Sequence, residues 1–360
     1  MATKLKFINT SQSAFFATVR GRVDAYFAQR AISPHANRAM WAKAVFFLGG
    51  YALFYGLIFS NHFGPWVMLG LAIGLGVFAA CIGFNVSHDA LHGAFSARPW
   101  VNKLLGGSFY LLGANPYVWK ITHNVVHHTY TNIPGHDEDI EVAPGLIRLD
   151  PLEKLQPWHR YQQWYTFPLY ALASLSWVLR KDYVKFFKSR IGHHDTANHP
   201  SREYIKLFVS KGLYYVFFLV LPSMVLSVAW WQVLIGFIVM HLAEGLVLGL
   251  VFQLAHVVEG TTFPLPDETG NVQDAWAIHQ LQTTANFAPQ SMLAAFFCGG
   301  LNRQIEHHLF PKICHIHYPA ITAIVKRTAH EFGLPYLENC SFGSALYSHF
   351  RLLRALGRPV

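Results

Sequence analysis

Charge is what this sequence has least of. Asp, Glu, Lys and Arg make up 13% of its 360 residues, roughly half the share usual in a soluble domain. Cysteine is scarce too. The four present, Cys81, Cys298, Cys314 and Cys340, show no CxxC spacing, which speaks against a disulfide framework and a thiolate zinc site. No apolar signal segment opens the chain, so no cleaved signal peptide is expected. There is no internal repeat and no low-complexity tract. What remains is apolar: 52% of the residues are hydrophobic and the mean hydropathy is positive. The composition points to an integral membrane protein. The formal charge of +9 then reads as topology and anionic lipid rather than nucleic acid.

A bilayer span needs about 20 apolar residues. "AVFFLGGYALFYGLIFS" (44–60) and "WVMLGLAIGLGVFAACIGF" (66–84) are separated by five residues and form a hairpin. The run 212–253 is long enough for two more spans, turning near Trp230–Gln232. Lys and Arg gather before the first span (Arg20, Arg22, Arg30, Arg38, Lys43) and before the third (Arg180, Lys181, Lys185, Lys188, Arg190, Arg202, Lys206, Lys211). By the positive-inside rule both regions are cytoplasmic.

The expected fold is an all-α, multi-pass membrane protein of a single domain (1–360). It has four transmembrane helices in two hairpins and a cytoplasmic helical cap. Its parts are an N-terminal interfacial segment (1–40), a first hairpin (44–84), a cytoplasmic region (85–211), a second hairpin (212–253) and a second cytoplasmic region (254–360). The stretch 164–179 is short for a span, contains Pro168 and reads as interfacial or re-entrant. In 13–31, Phe15, Phe16, Val19, Val23, Tyr26 and Phe27 recur at helical spacing. Such a helix either lies in the membrane surface or packs on the protein.

Histidine is abundant, with 21 copies, and it is the commonest metal ligand. Three clusters stand out: "SHDALHG" with His88 and His92, "KITHNVVHHTYTN" with His123, His127 and His128, and "QIEHH" with Gln304, His307 and His308. Helical residues three or four apart share a face. On that rule His88 points with His92, His123 with His127, and Gln304 with His307 and His308. All three clusters fall outside the spans on one inferred side. Seven histidines exceed the roughly four ligands of a tetrahedral zinc site, so two ions are the simpler reading. Imidazole suits iron, copper, zinc and nickel; a membrane-surface site beside an apolar tunnel favours iron. Asp89, Asp137, Asp139 and Glu306 are candidates to accept the distal N–H of ligating rings. His256, where the fourth span ends, is read as a further ligand. His279, in "HQLQTTANF", is placed in a polar loop and read as non-ligating. His62, His136, His159, His193, His194 and His199 are read as ordinary. His241 and Glu244 fall inside the fourth span, where ionisable groups are functional candidates, and their spacing allows them to pair. Phe217, Phe218, Trp230 and Trp231 either line a tunnel or face lipid.

Together these motifs resemble the membrane fatty acid desaturases, and within them the acyl-lipid, front-end branch. "HDALH" matches the HxxxH box. "HNVVHH", within "WKITHNVVHHTYTNIPGHDEDI", matches the HxxHH-type box with one extra residue. "QIEHHLFP" matches the third box with glutamine at its head. The likeness runs from about residue 40 to about 335. It implies a non-haem diiron oxidoreductase that uses O2 and two electrons to place a cis double bond in a lipid acyl chain. It implies His88, His92, His123, His127, His128, His256, His307 and His308 as ligands, with Gln304 in a ligand's place. No HPGG motif of a fused cytochrome b5 domain is present, so the electron donor is expected to be separate, ferredoxin or cytochrome b5. A lipid hydroxylase or carotenoid ketolase on the same scaffold is the nearest rival. A membrane metallohydrolase would leave two boxes unexplained, and a haem carrier with paired histidines would show a Soret band.

Overall fold

The computed structural model describes residues 5–8, 13–150, 152–192 and 194–359; His193 lies outside them. Among the described residues four helices are long and apolar enough to cross a membrane: Arg38–Phe59, Pro65–His92, Ser201–Val225 and Trp230–His256. The first is started by Asn37, whose side chain accepts a hydrogen bond from the Met40 amide at 2.9 Å. It buries Met40, Ala44, Phe47 and Tyr51 along one stripe. Val45, Phe46 and Leu53 point outward although apolar. A helix greasy on its exposed face has lipid, not water, as its outer solvent.

The second span starts at Pro65, where a missing amide hydrogen costs nothing. Its 28 residues make it about 42 Å long at 1.5 Å per residue, longer than a hydrocarbon core of about 30 Å. The surplus carries His88 and His92. Box one is therefore the end of the second helix itself, continued through a π-helical turn at Gly83–Ser87, rather than a segment that follows the span.

The second hairpin departs from the expected boundaries. Its first helix begins at Ser201, well before residue 212, and its turn is 226–229 rather than Trp230–Gln232. Gln232 explains the shift, because its side-chain oxygen accepts from the Ala229 amide at 2.9 Å and caps the last helix. A hydropathy count cannot detect a cap, and it discards the charged first turns of the third helix.

Close helix crossings fix the bundle. A Cβ placed on Gly76 would sit 2.1 Å from the Met240 carbonyl oxygen, and one on Gly245 would sit 2.3 Å from that of Ala171. The second contact seats the 164–179 stretch against the fourth span. That stretch forms two short helices, Gln162–Ala171 and Ala173–Ser176, and does not qualify as a span. The helix Ser13–Arg30 buries Phe15, Val19, Val23 and Phe27 among Ile321, Val325 and Ala329. Of its two readings, packing on the protein is the one found. Trp230, Trp231 and Phe217 are exposed. Phe218 lines an apolar cavity toward the far end of the spans, next to Tyr55 and Phe237.

Candidate metal centre

Residues 116–130 form one helical segment, and Lys120–His127 within it is π-helical. A π-helix repeats on i, i+5 rather than i, i+4. Accordingly His123 and His128 meet, Nε2 to Nε2, at 3.2 Å. His128 Nε2 is also 3.0 Å from His307 Nε2. The expected neighbours His123 and His127 do stack, with ring centroids 5.0 Å apart, but the winding sends them to different clusters. His123 joins His88, His92 and His307 in one cluster, and His127 joins His256 and His308 in a second. Box three is divided likewise, His307 to the first group and His308 to the second. Gln304 falls in the second group, its amide nitrogen 3.0 Å from His256 Nε2 and 3.5 Å from His308 Nε2.

The outer nitrogens are held away from these clusters. His127 Nδ1 donates to Asp137 at 2.8 Å and His123 Nδ1 to Asp139 at 3.2 Å. His308 Nδ1 donates to Gln280 Oε1 at 2.7 Å, and His256 Nδ1 to the Thr283 carbonyl at 3.3 Å. His307 Nδ1 lies 3.1 Å from the Tyr318 hydroxyl. A proton fixed on Nδ1 leaves the Nε2 lone pair free and aimed inward. Burial acts in the same direction. It pushes His123 down to about 4, and His128, His307 and His308 well below the ordinary histidine range, with their neighbouring imidazoles adding to the effect. Burial thus favours the neutral form of these four rings. The Nε2 atoms of His92 and His127 are buried with no hydrogen-bond partner, which costs free energy unless something binds them. Inward-facing, unsatisfied nitrogen donors fit a transition-metal ion.

The remaining candidates separate by geometry. Asp137 and Asp139 support ligand-position rings, whereas Asp89 and Glu306 do not. Asp89 accepts from His315 Nδ1 at 2.8 Å and from Cys314 at 3.0 Å. Glu306 accepts from Asn286 at 2.9 Å and Tyr336 at 2.5 Å, and burial pushes its carboxyl up to about 7. His241 does pair with Glu244, at 3.4 Å, and is also bound by Ser174 and Tyr214. His279 sits on the helix Trp276–Thr283, not in a loop, and packs its ring 5.1 Å from Phe7. His62, His159 and His199 bond backbone oxygens elsewhere.

A cleft opens beside the first cluster. It encloses about 970 Å³ of empty space, its mouth included, and His88 and His123 form part of a wall otherwise dominated by Phe84, Phe109, Trp119 and Phe252. Trp119 stacks on His123 with ring centroids 4.3 Å apart.

The sequence model of the family described as fatty acid desaturase matches residues 64–339, a stretch that holds both histidine clusters and the cleft. The chain belongs to the fatty acid desaturase family. The desaturase is 37% identical, over 99% of both chains, to the sn-1 linoleoyl-lipid 6-desaturase of Synechocystis. It is 36% identical to the acyl-lipid (8-3)-desaturase of Physcomitrium patens, covering 98% of this chain and 74% of that one. It is 33% identical to the acyl-lipid (8-3)-desaturase of Mortierella alpina, covering 96% and 79%. The desaturase is thus a fatty acyl oxidoreductase with apolar helices suited to a membrane.

Sequence reasoning missed three partners in the desaturase: Gln280, Thr283 and Tyr318. The first two lie on the helix Trp276–Thr283, which by sequence reads as a polar loop. Their spacing, with Ala277 and Leu281 forming the apolar side of the same two turns, was the signal available. Tyr318 had none, since it reaches His307 only through the turn at Cys314 that begins the next helix.

Proposed function

We propose that this desaturase introduces a cis double bond into the acyl chain of a membrane lipid, with two iron ions as cofactor and O2 as co-substrate. The first ion would be held by His88, His92, His123 and His307 with His128 beside them, the second by His127, His256 and His308 with Gln304. The observation that carries this reading is the division of seven histidines into two adjacent clusters, the first of which borders an apolar cleft. When bound, the irons supply the oxygen activation that removes hydrogen from an unactivated methylene pair. The balance is RCH2CH2R′ + O2 + 2 electrons + 2 protons giving RCH=CHR′ + 2 H2O. The electrons come from a separate carrier, ferredoxin or cytochrome b5. The Lys and Arg clusters before the first and third spans favour a centre on the cytoplasmic face.

The chain's own residues position and exclude. Phe84, Phe109 and Phe252 hold the acyl chain out of water, which lets one methylene pair dwell against the cluster. Asp137, Asp139 and Gln280 keep protons on the outer ring nitrogens and so hold the inner ones as acceptors. The relatives are named as acyl-lipid desaturases, which favours a lipid-bound acyl group and desaturation over oxygen insertion. The test is expression in a host lacking polyunsaturated lipids, followed by mass spectrometry of its fatty acids. A product lighter by two hydrogens supports the proposal, whereas a product heavier by one oxygen shows a hydroxylase.

A further inference from the structure

The cleft has two unlike ends. Gly83, Leu301 and Gln304 at one end are buried, while Val142, Trp177 and Lys181 at the other are partly exposed. Lys181 is the one Lys or Arg on the cleft wall, and 31% of its side chain remains accessible. Its neighbours leave it under-partnered. Lys185 bonds Asp139 at 3.3 Å and is 3.8 Å from Glu138, and Lys188 pairs with Glu138 as well. The next carboxylate, Asp182, is paired with Lys211 at 2.8 Å, and Trp177 offers the Lys181 ammonium only its ring face, 5.9 Å away. The Lys181 ammonium stands 3.9 Å from Asp139, outside hydrogen-bonding distance. No closer acceptor is found among the described residues.

Lys181 is also close to the metal ligands. A single carboxylate separates it from His123: Asp139 is 3.9 Å from the ammonium on one side and 3.2 Å from the ring on the other.

The geometry points to Lys181 as the anchor for the carbonyl oxygen of the acyl ester, fixing which carbons face the histidines. This rests on the desaturase reading above. An acyl chain enters methyl end first, because the other end is buried and holds no charged side chain. Its ester stays at the rim, where a partly solvated ammonium donates to the carbonyl. The new double bond is then counted from the carboxyl end. An alkyl chain has no other feature by which a smooth apolar wall can set its register.

The test compares wild type, Lys181→Met and Lys181→Arg, purified in detergent with metal content measured. Binding is read as quenching of tryptophan fluorescence by a dibrominated methyl stearate and by a dibrominated alkane of equal length. Wild type binds the ester about tenfold more tightly than the alkane, the scale of one hydrogen bond to a charged donor. Lys181→Met loses that preference, keeps wild-type metal content, and in the expression host scatters the double-bond position; Lys181→Arg restores both. Equal ester preference in Lys181→Met with a single unchanged product overturns the proposal. So does loss of metal in that variant, because Lys181 would then act through Asp139. A wild-type chain that makes no double bond defeats the desaturase reading, while the binding comparison still decides the role of Lys181.

Discussion

His128 Nε2 lies 3.2 Å from His123 Nε2, five residues along the chain. In an α-helix that spacing would turn the two rings onto different faces. The π-helical winding brings them together and releases His127 to the other cluster. Box two therefore supplies both groups from a single element, and His307 and His308 do the same from box three. The two clusters are held at short range because they share two pieces of backbone.

His307→Ala is expected to abolish the new double bond while the protein still inserts in the membrane. Fatty-acid profiling together with membrane fractionation checks this. Retained product in that variant would count against the ligand assignment.

Gln280→Ala removes the acceptor that holds His308 Nδ1. Losing such an outer partner typically costs about 10–100-fold in metal affinity or activity. Asp137→Ala is expected to have an effect of the same size through His127. Metal retention during titration with a chelator measures both.

Removal of metal should lower thermal stability. Binding to the folded state alone stabilises by about 2.7 kcal/mol when free metal is 100 times its dissociation constant. The folded apo protein is left with buried nitrogens that have no partner. A melting curve in detergent, before and after chelation and with iron restored, reads the difference.

Gly76→Val forces a side chain into the Met240 carbonyl, which cannot rotate away. Overpacking of this kind costs about 1–3 kcal/mol. A lowered melting temperature with unchanged metal stoichiometry per folded molecule is the expected result. Gly70→Ala, where nothing stands within 4 Å of the added atom, is the control.

Asp182 and Lys211 form a buried ion pair at 2.8 Å, linking the region before the third span to that span. Asp182→Ala leaves a buried ammonium uncompensated and is expected to cost about 3–5 kcal/mol. The double variant Asp182→Leu with Lys211→Met should recover most of that loss in the same unfolding assay, because it leaves no unpaired charge.

Much of the site was legible from residue types and spacing. Histidines in such number, outside the spans and grouped in turns, have few uses other than holding metal. That His256 lies beside His127 and His308 was legible from its position at the end of the fourth helix. Illegible were the partners of Asp89 and Glu306. Each adjoins a ligand-position histidine in sequence, yet neighbouring residues on a helix point about 100° apart, so adjacency in the chain argues against a shared target. The beginning of the third span was hidden because its first turns are charged, and hydropathy does not distinguish a helix that emerges from the bilayer from a loop.

By itself the sequence determined that this chain is helical, has segments long and apolar enough to cross a membrane and carries histidine clusters in three places. These follow from composition and periodicity, which act locally along the chain. Which histidine joins which cluster, which acceptors hold the outer nitrogens, and the placing of one lysine at the rim of the cleft were decided by the tertiary structure. The physical reason is that a ring nitrogen 3 Å from its partner is set by helix winding and crossing. Those depend on contacts between residues separated by up to two hundred positions, such as His307 with His128, and no local pattern encodes them.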